Sequence, residues 1–322
     1  MSGFTMHGLR PTRAGFGEGV LAAGEQYQQL VVLGADITAS VGLNLFAKKF
    51  PERFFSLGIA EQNCIGVAAG MALSGNIPVF STYGVFAALR TTDQIRISLC
   101  YNNLGVIIGG AHAGISVGPD GATHQALEDI AVMRVLPNMT VISPCDATQA
   151  KLAVFYSVQH IKGPVYIRFG REAVPDFTTN ELPFKTGIAQ VFRKGCDLAI
   201  IATGHMVWEA LQAAEKLAEN GIEARVINLH TIKPIDKDCI VAAAKECGAI
   251  LTAEEHQVAG GMGSAVAEVV VRNHPVPMDF IGMEDCFGES GKPEELLEKY
   301  GLNSGVIFRK ALQLFALKTK TE

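Results

Sequence analysis

Short apolar runs rich in β-branched and aromatic residues alternate along the chain with longer stretches whose apolar positions recur at helical spacing. In the first half this pattern predicts strands over Leu30–Leu33, Arg53–Leu57, Ile77–Phe80, Leu104–Ile108, Thr140–Ser143 and Val165–Arg168. Helices are expected over Arg13–Tyr27, Glu61–Leu73, Thr91–Tyr101, Ala126–Val135 and Thr148–Gln159. Strands that are apolar on both faces and separated by helices imply an α/β fold, a doubly wound and mainly parallel sheet covered on both sides. Pro137, Pro144 and Pro164 fall just outside these elements, where a missing N–H costs nothing. From Asp176 to Gly195 the rhythm breaks, and a second series follows. Its strands are expected over Leu198–Ala202, Ala224–Asn228, Ala249–Ala253 and Pro277–Gly282. Its helices are expected over Met206–Asn220, Asp236–Glu246, Gly263–Asn273, Pro293–Tyr300 and Ser304–Leu317. The expected organisation is a domain over 1–178, a linker over 179–195 and a second doubly wound domain over 196–322.

The 322 residues are enough for two such domains, and 48% apolar against 18% charged residues suits large cores. Lys and Arg number 27 against 32 Asp and Glu, and a net charge of −5 argues against nucleic acid as a partner. The seven cysteines are scattered without a CxxC, which points to reduced thiols in a cytoplasmic protein and to no protein-held metal. The N-terminus has no apolar signal region, and no apolar run is long enough for a membrane span.

Common motifs fail on context. Gly15-Phe16-Gly17-Glu18-Gly19 has the wrong spacing for a dinucleotide fingerprint and follows no strand. Gly260-Gly261-Met262-Gly263 opens a helix and could hold an anion there, although close helix–sheet packing is the favoured reading. Gly114-Ile115-Ser116-Val117-Gly118 spells GxSxG, but a turn, not a helix, follows the serine, so it is no nucleophile elbow.

Ligands of doubly wound sheets bind at the carboxyl ends of strands, so the loops after strands carry the information. Four of them are unusually polar: Gly34-Ala35-Asp36-Ile37-Thr38-Ala39-Ser40, Gly58-Ile59-Ala60-Glu61-Gln62-Asn63, Ser81-Thr82-Tyr83-Gly84-Val85-Phe86, and Ala111 through Gln125. Glu61 opens a helix that is almost wholly small and apolar after Asn63, which predicts burial all round. A carboxylate favours a helix N-terminus for plain electrostatic reasons. One held in an apolar setting is also suited to share a proton with a ligand nitrogen. In the last loop His112, Asp120 and His124 sit among glycines that let the backbone approach a ligand closely.

Together these residues resemble the C-terminal portion of transketolase, the pyrimidine-binding and C-terminal domains of a thiamine-diphosphate enzyme. The segment around Glu61 resembles the one carrying the family's cofactor-activating glutamate. Asp120-Gly121-Ala122-Thr123-His124-Gln125, followed by Glu128-Asp129-Ile130 and Leu136-Pro137-Asn138-Met139, is more specific, and the similarity runs from Arg13 to the last helix. The sequence contains no GDG, the family motif of the domain that holds the diphosphate and Mg²⁺ (or Ca²⁺). The resemblance therefore implies a split transketolase. An N-terminal partner subunit would carry the diphosphate-binding domain and most of the metal's ligands, in an α2β2 assembly.

The resemblance also implies roles. Glu61 would hydrogen-bond the aminopyrimidine ring and, with Asp120 and His124, form the catalytic set. Phe86 or Tyr83 would stack on the pyrimidine, and Asp36 would line the cofactor pocket. Arg13, Ser40, His112 and Arg171 would hold the anionic end of a phosphorylated ketose or aldose, Arg171 bidentately. Gly170 stands where many members have a serine. Asp120 would bind a substrate hydroxyl, and His124 would lie near the donor's first hydroxyl. The implied reaction is transfer of a two-carbon ketol unit to an aldose. Glu254, Glu255 and His256 look structural in this setting. Three rivals share parts of the pattern: a 1-deoxyxylulose-5-phosphate synthase, the β subunit of a 2-oxo acid dehydrogenase, and a non-catalytic scaffold subunit. The last would have no need of Glu61.

Overall fold

The computed structural model describes residues 4–321. Its strands are β1 (Gly8–Pro11), β2 (Leu30–Gly34), β3 (Phe54–Ser56), β4 (Ile77–Tyr83), β5 (Ile107–Ala111), β6 (Thr140–Ile142) and β7 (Val165–Arg168). They continue as β8 (Ala173–Asp176), β9 (Gln190–Arg193), β10 (Leu198–Ala202), β11 (Ala224–Asn228), β12 (Thr231–Lys233), β13 (Ile250–Gln257) and β14 (Met278–Met283). One sheet has the order β12-β6-β7-β5-β4-β2-β3 and is parallel apart from β12. The other has the order β14-β13-β10-β11-β9 and is parallel apart from β9.

The central strands β2, β5, β7 and β10 are buried along their whole length, as strands covered by helices on both faces must be. Helix packing over the first sheet is set by small residues. A Cβ on Gly15 would lie 1.8 Å from the carbonyl oxygen of Ala147, so helix Thr12–Gln26 and helix Ala147–His160 touch backbone to backbone there. Among the described residues no helix is long and apolar enough to cross a membrane.

Several elements differ from the pattern reading. The stretch read as a linker contains β9, which pairs antiparallel with β11 and closes one edge of the second sheet. Short β12 leaves the second half of the chain to pair antiparallel with β6 of the first sheet. β1 and β8 form their own antiparallel pair. All four are only three or four residues long and find partners far along the chain, so local periodicity cannot reveal them. The helix expected from Thr91 begins instead at Phe86, and most of it is wound as π-helix, over Phe86–Arg90 and Ile95–Tyr101. Thr91 Oγ1 donates to Ala87 O at 2.6 Å, and Thr92 does the same to Ala88 O. Such back-bonding bends helices, and π-turns collect at functional sites.

Helix Glu61–Leu73 is not buried all round. Cys64, Ile65, Ala68 and Ala69 face the core, whereas Gln62, Asn63, Gly66, Gly70 and Leu73 face outward, Leu73 at 74% exposure. Its run of small residues reads as buried, but the row Gly66–Gly70 has nothing within 4 Å of a built Cβ.

Candidate functional site

The loops after β2, β3, β4, β5 and β7 meet at the carboxyl end of the first sheet, because these strands are parallel neighbours. Glu61 opens its helix directly after the β3 loop and is 3% exposed. Its Oε1 accepts Arg90 Nη1 at 2.8 Å, and the Arg90 guanidinium lies over the Phe86 ring, 4.1 Å from its centroid. Phe86 meets His124 at 5.4 Å between ring centroids and Tyr83 at 6.0 Å. Tyr83 in turn packs on His112 at 4.3 Å and on His124 at 5.6 Å. A continuous line thus runs from the Glu61 carboxylate through Arg90 and the aromatic wall to both histidines. Arg90 is the residue the sequence reading missed. No sequence signal marked it, because the pattern places both Phe86 and Arg90 before the helix expected from Thr91.

His112 sits just past β5 in the left-handed region, with φ 53°, and is 2% exposed. Its Nδ1 is buried without a partner. Burial, and then the charges of Arg13 and Arg171, hold its imidazole down to about 4, against the pull of Asp120. Arg171 Nη1 pairs with Asp120 Oδ2 at 3.1 Å and its Nε with Glu172 at 3.4 Å. Arg13 Nη1 donates to the Ser40 carbonyl at 3.1 Å, and its backbone N–H reaches Gly170 O. Gly170 N–H donates to Thr12 Oγ1 at 2.7 Å. Arg13, Ser40, His112, Asp120, His124 and Arg171 therefore belong to one neighbourhood. Asp36 is exposed after β2, with φ 65°, and no hydrogen bond or ring contact ties it to this cluster among the described residues.

The neutral His112 has a consequence for stability. The unfolded chain takes up a proton here as pH falls from about 6.5, its reference value, toward about 4, whereas the folded chain refuses it. The contribution of this residue is complete above pH 6.5 and is lost on the way down to 4. His112→Gln should therefore lose less stability than wild type between pH 7 and pH 5, as read by urea unfolding at both values. An unchanged difference would contradict the assignment.

Behind the site, Arg168 is not a surface charge. Its Nε meets Asp129 Oδ2 at 2.9 Å in full burial, and Tyr166 Oη donates to the same carboxylate at 2.7 Å. The anion-binding possibility at Gly260–Gly263 is answered by the protein itself. The buried Glu254 carboxylate accepts Met262 N–H at 2.6 Å and Gly263 N–H at 2.7 Å. Burial pushes its carboxyl up to about 7 despite these bonds. His256 Nε2 accepts the Ile130 N–H at 3.2 Å across the domain boundary.

Two family models match: the transketolase pyrimidine-binding domain over residues 10–176 and the transketolase C-terminal domain over residues 187–307. The chain belongs to the transketolase family. It is 45% identical to a putative transketolase C-terminal section of Methanocaldococcus jannaschii, covering 94% of this chain and 95% of that one. It is 41% identical to a 6-deoxy-6-sulfo-D-fructose transketolase subunit of Clostridium sp., over 95% and 94% of the two chains. A solved structure described as a split gene transketolase, inactive beta4 tetramer, superposes with a TM-score of 0.89 at 46% identity, covering 96% and 99% of the two chains. A 1-deoxy-D-xylulose-5-phosphate synthase of Desulforudis audaxviator is 37% identical, but this transketolase-family chain spans only 47% of it.

Proposed function

We propose that this chain is the C-terminal subunit of a split transketolase. It joins an N-terminal subunit that carries the diphosphate-binding domain, as α2β2, and moves a two-carbon ketol unit from an anionic ketose to an aldose. One observation carries the reading: the buried Glu61 carboxylate stands at one end of an aromatic wall, and the Arg13, His112, Arg171 and Asp120 cluster stands at the other. Relatives aligned over nearly their full lengths are named as transketolase subunits, which supports the partner.

The residues fit thiamine diphosphate. A carboxylate at 3% exposure near a wall of tilted and edge-on rings suits a flat nitrogen ring, and the unpartnered Nδ1 of His112 suits a polar ligand group. When bound, that cofactor supplies a carbon nucleophile and an electron sink for cleaving the bond beside a carbonyl. Glu61 holds the proton at the ring nitrogen. Phe86, the aromatic that Arg90 links to Glu61, would flank the pyrimidine, with Tyr83 packed on His112 and His124, and Asp36 would line the cofactor pocket. His124 and Asp120 bind the sugar hydroxyls near the reacting carbons, and His124 moves protons there. Arg171, with Arg13, Ser40 and His112, takes the phosphate or sulfonate end. Mg²⁺ or Ca²⁺ is held mainly by the partner.

The outward face of helix Glu61–Leu73 is where the partner docks, since it is continuous with Glu61 and its glycines allow close approach. Calorimetry of this chain alone with thiamine diphosphate and Mg²⁺ should show no tight binding, and the partner should restore it. Gly70→Leu should leave the chain folded, because nothing within 4 Å opposes the side chain, yet weaken assembly at least tenfold. Tight binding by the lone chain, or undiminished assembly of the variant, would overturn the reading. Ketose and aldose pairs assayed on the reconstituted complex identify the substrates.

A further inference from the structure

The loop that carries His112, Asp120 and His124 rests on a buried carboxylate from the second domain. Glu255, on β13 and 5% exposed, accepts the Ser116 N–H at 2.6 Å. Its other oxygen meets His205 Nδ1 at 3.1 Å. Its backbone carbonyl accepts Arg168 Nη2 at 2.8 Å, and the same nitrogen holds Ala126 O at 3.0 Å, where the loop ends. The loop backbone lies directly on the carboxylate: at Gly114, with φ 89°, a Cβ would fall 2.1 Å from the Glu255 carboxyl carbon. His205 Nε2 is buried without a partner, and His205 and Glu255 border a cavity of about 30 Å³ between the domains, enough for one water.

Each group is shifted toward its charged form. Burial opposes the imidazolium of His205, but Glu255 and then Glu209 outweigh it, and Arg168 opposes them, so its pKa is raised. Burial also opposes the Glu255 carboxylate, but His205, Arg168 and the Ser116 N–H outweigh it, so its pKa is lowered.

Ser116 lies midway between His112 and Asp120 in sequence, so the anchor point governs both ends of the substrate loop. We infer that Glu255 and His205 are positioning residues, which fix from the second domain the loop that presents His112 and Asp120 to the sugar. This rests on the transketolase reading, and it assigns the second domain a part in the reaction. Misplacement of reacting groups by 1 Å can cost about a hundredfold in rate.

The test uses the reconstituted complex with fructose 6-phosphate as donor and ribose 5-phosphate as acceptor. Glu255→Gln puts an amide N–H against one of the two donors. It should lower kcat/KM by at least about thirtyfold, mostly through KM, with assembly and cofactor affinity unchanged. His205→Leu should do the same, and His205→Asn, whose amide replaces Nδ1–H, should recover to within about threefold of wild type. Amide hydrogen exchange of residues 114–118 should quicken at least tenfold in Glu255→Gln. If that variant does not fold, the two His205 variants decide by whether Asn rescues what Leu loses. Activity of Glu255→Gln within threefold of wild type, no rescue by Asn, or unchanged exchange would each overturn the inference. A wild-type complex that transfers no ketol unit between any phosphorylated or sulfonated ketose and aldose pair would sink the functional reading instead, and hydrogen exchange alone would then decide the positioning.

Discussion

Glu61→Ala is expected to abolish ketol transfer in the assembled complex while leaving the fold in place. The carboxylate sits at 3% exposure, and its charged partner Arg90 is 44% exposed. Removing Glu61 therefore strands no buried charge, because Arg90 turns to water, and the thermal midpoint should move little. The chemistry has no such escape. No other carboxylate hydrogen-bonds or pairs with Arg90 on the Phe86 wall among the described residues. Loss of the proton-holding group should cost far more than the ~1.4 kcal/mol that corresponds to tenfold in rate. Steady-state assays with saturating cofactor measure it. A variant that keeps more than about a tenth of wild-type turnover would show that Glu61 does not hold the proton.

Asp129→Ala is expected to do the reverse, damaging stability first. Asp129 and Arg168 are 0% and 6% exposed, and the Tyr166 hydroxyl shares the carboxylate. Deleting the carboxylate leaves a guanidinium and a hydroxyl in the interior without their acceptor. Breaking a buried pair from one side costs about 3–5 kcal/mol. At about 2–4 °C per kcal/mol, the midpoint should fall by roughly 6–20 °C, as read by calorimetry. Adding Arg168→Met should not restore the midpoint, because Arg168 also donates to the buried carbonyls of Ala126 and Glu255, and the Tyr166 hydroxyl would still lack its acceptor. A single variant within about 1 kcal/mol of wild type would contradict this account of the pair.

These two residues show what was legible. Glu61 stood out in sequence because a carboxylate before a run of small apolar residues is chemically conspicuous. His112, Asp120 and His124 stood out because they share one glycine-rich loop, and Arg171 because it follows an apolar strand. Asp129 and Arg168 were also visible as residues, but nothing local says that a helix start and a strand end 39 positions apart form one ion pair. Arg90 was passed over for a related reason. It lay outside the helix expected from Thr91, and only the π-wound helix brings it onto both Phe86 and Glu61.

The outward face of helix Glu61–Leu73 makes the same point from the other side. Its composition alone reads as buried on every side, because glycine and alanine carry no polarity to mark a surface. The fold leaves the Gly66–Gly70 row uncovered, and that turns a core-like sequence into a candidate docking face.

The sequence by itself determined the alternation of strands and helices, the grouping of polar residues after strands, and the family. Those features are local or periodic, and each is written into a few consecutive positions. The tertiary structure alone decided that β12 crosses to the first sheet, that the Arg168 guanidinium is buried against Asp129, and that Glu255 of the second domain underlies the loop of the first. These are contacts between segments far apart in the chain, where burial strengthens every hydrogen bond and ion pair, and no local pattern specifies which distant partner will satisfy a buried charge.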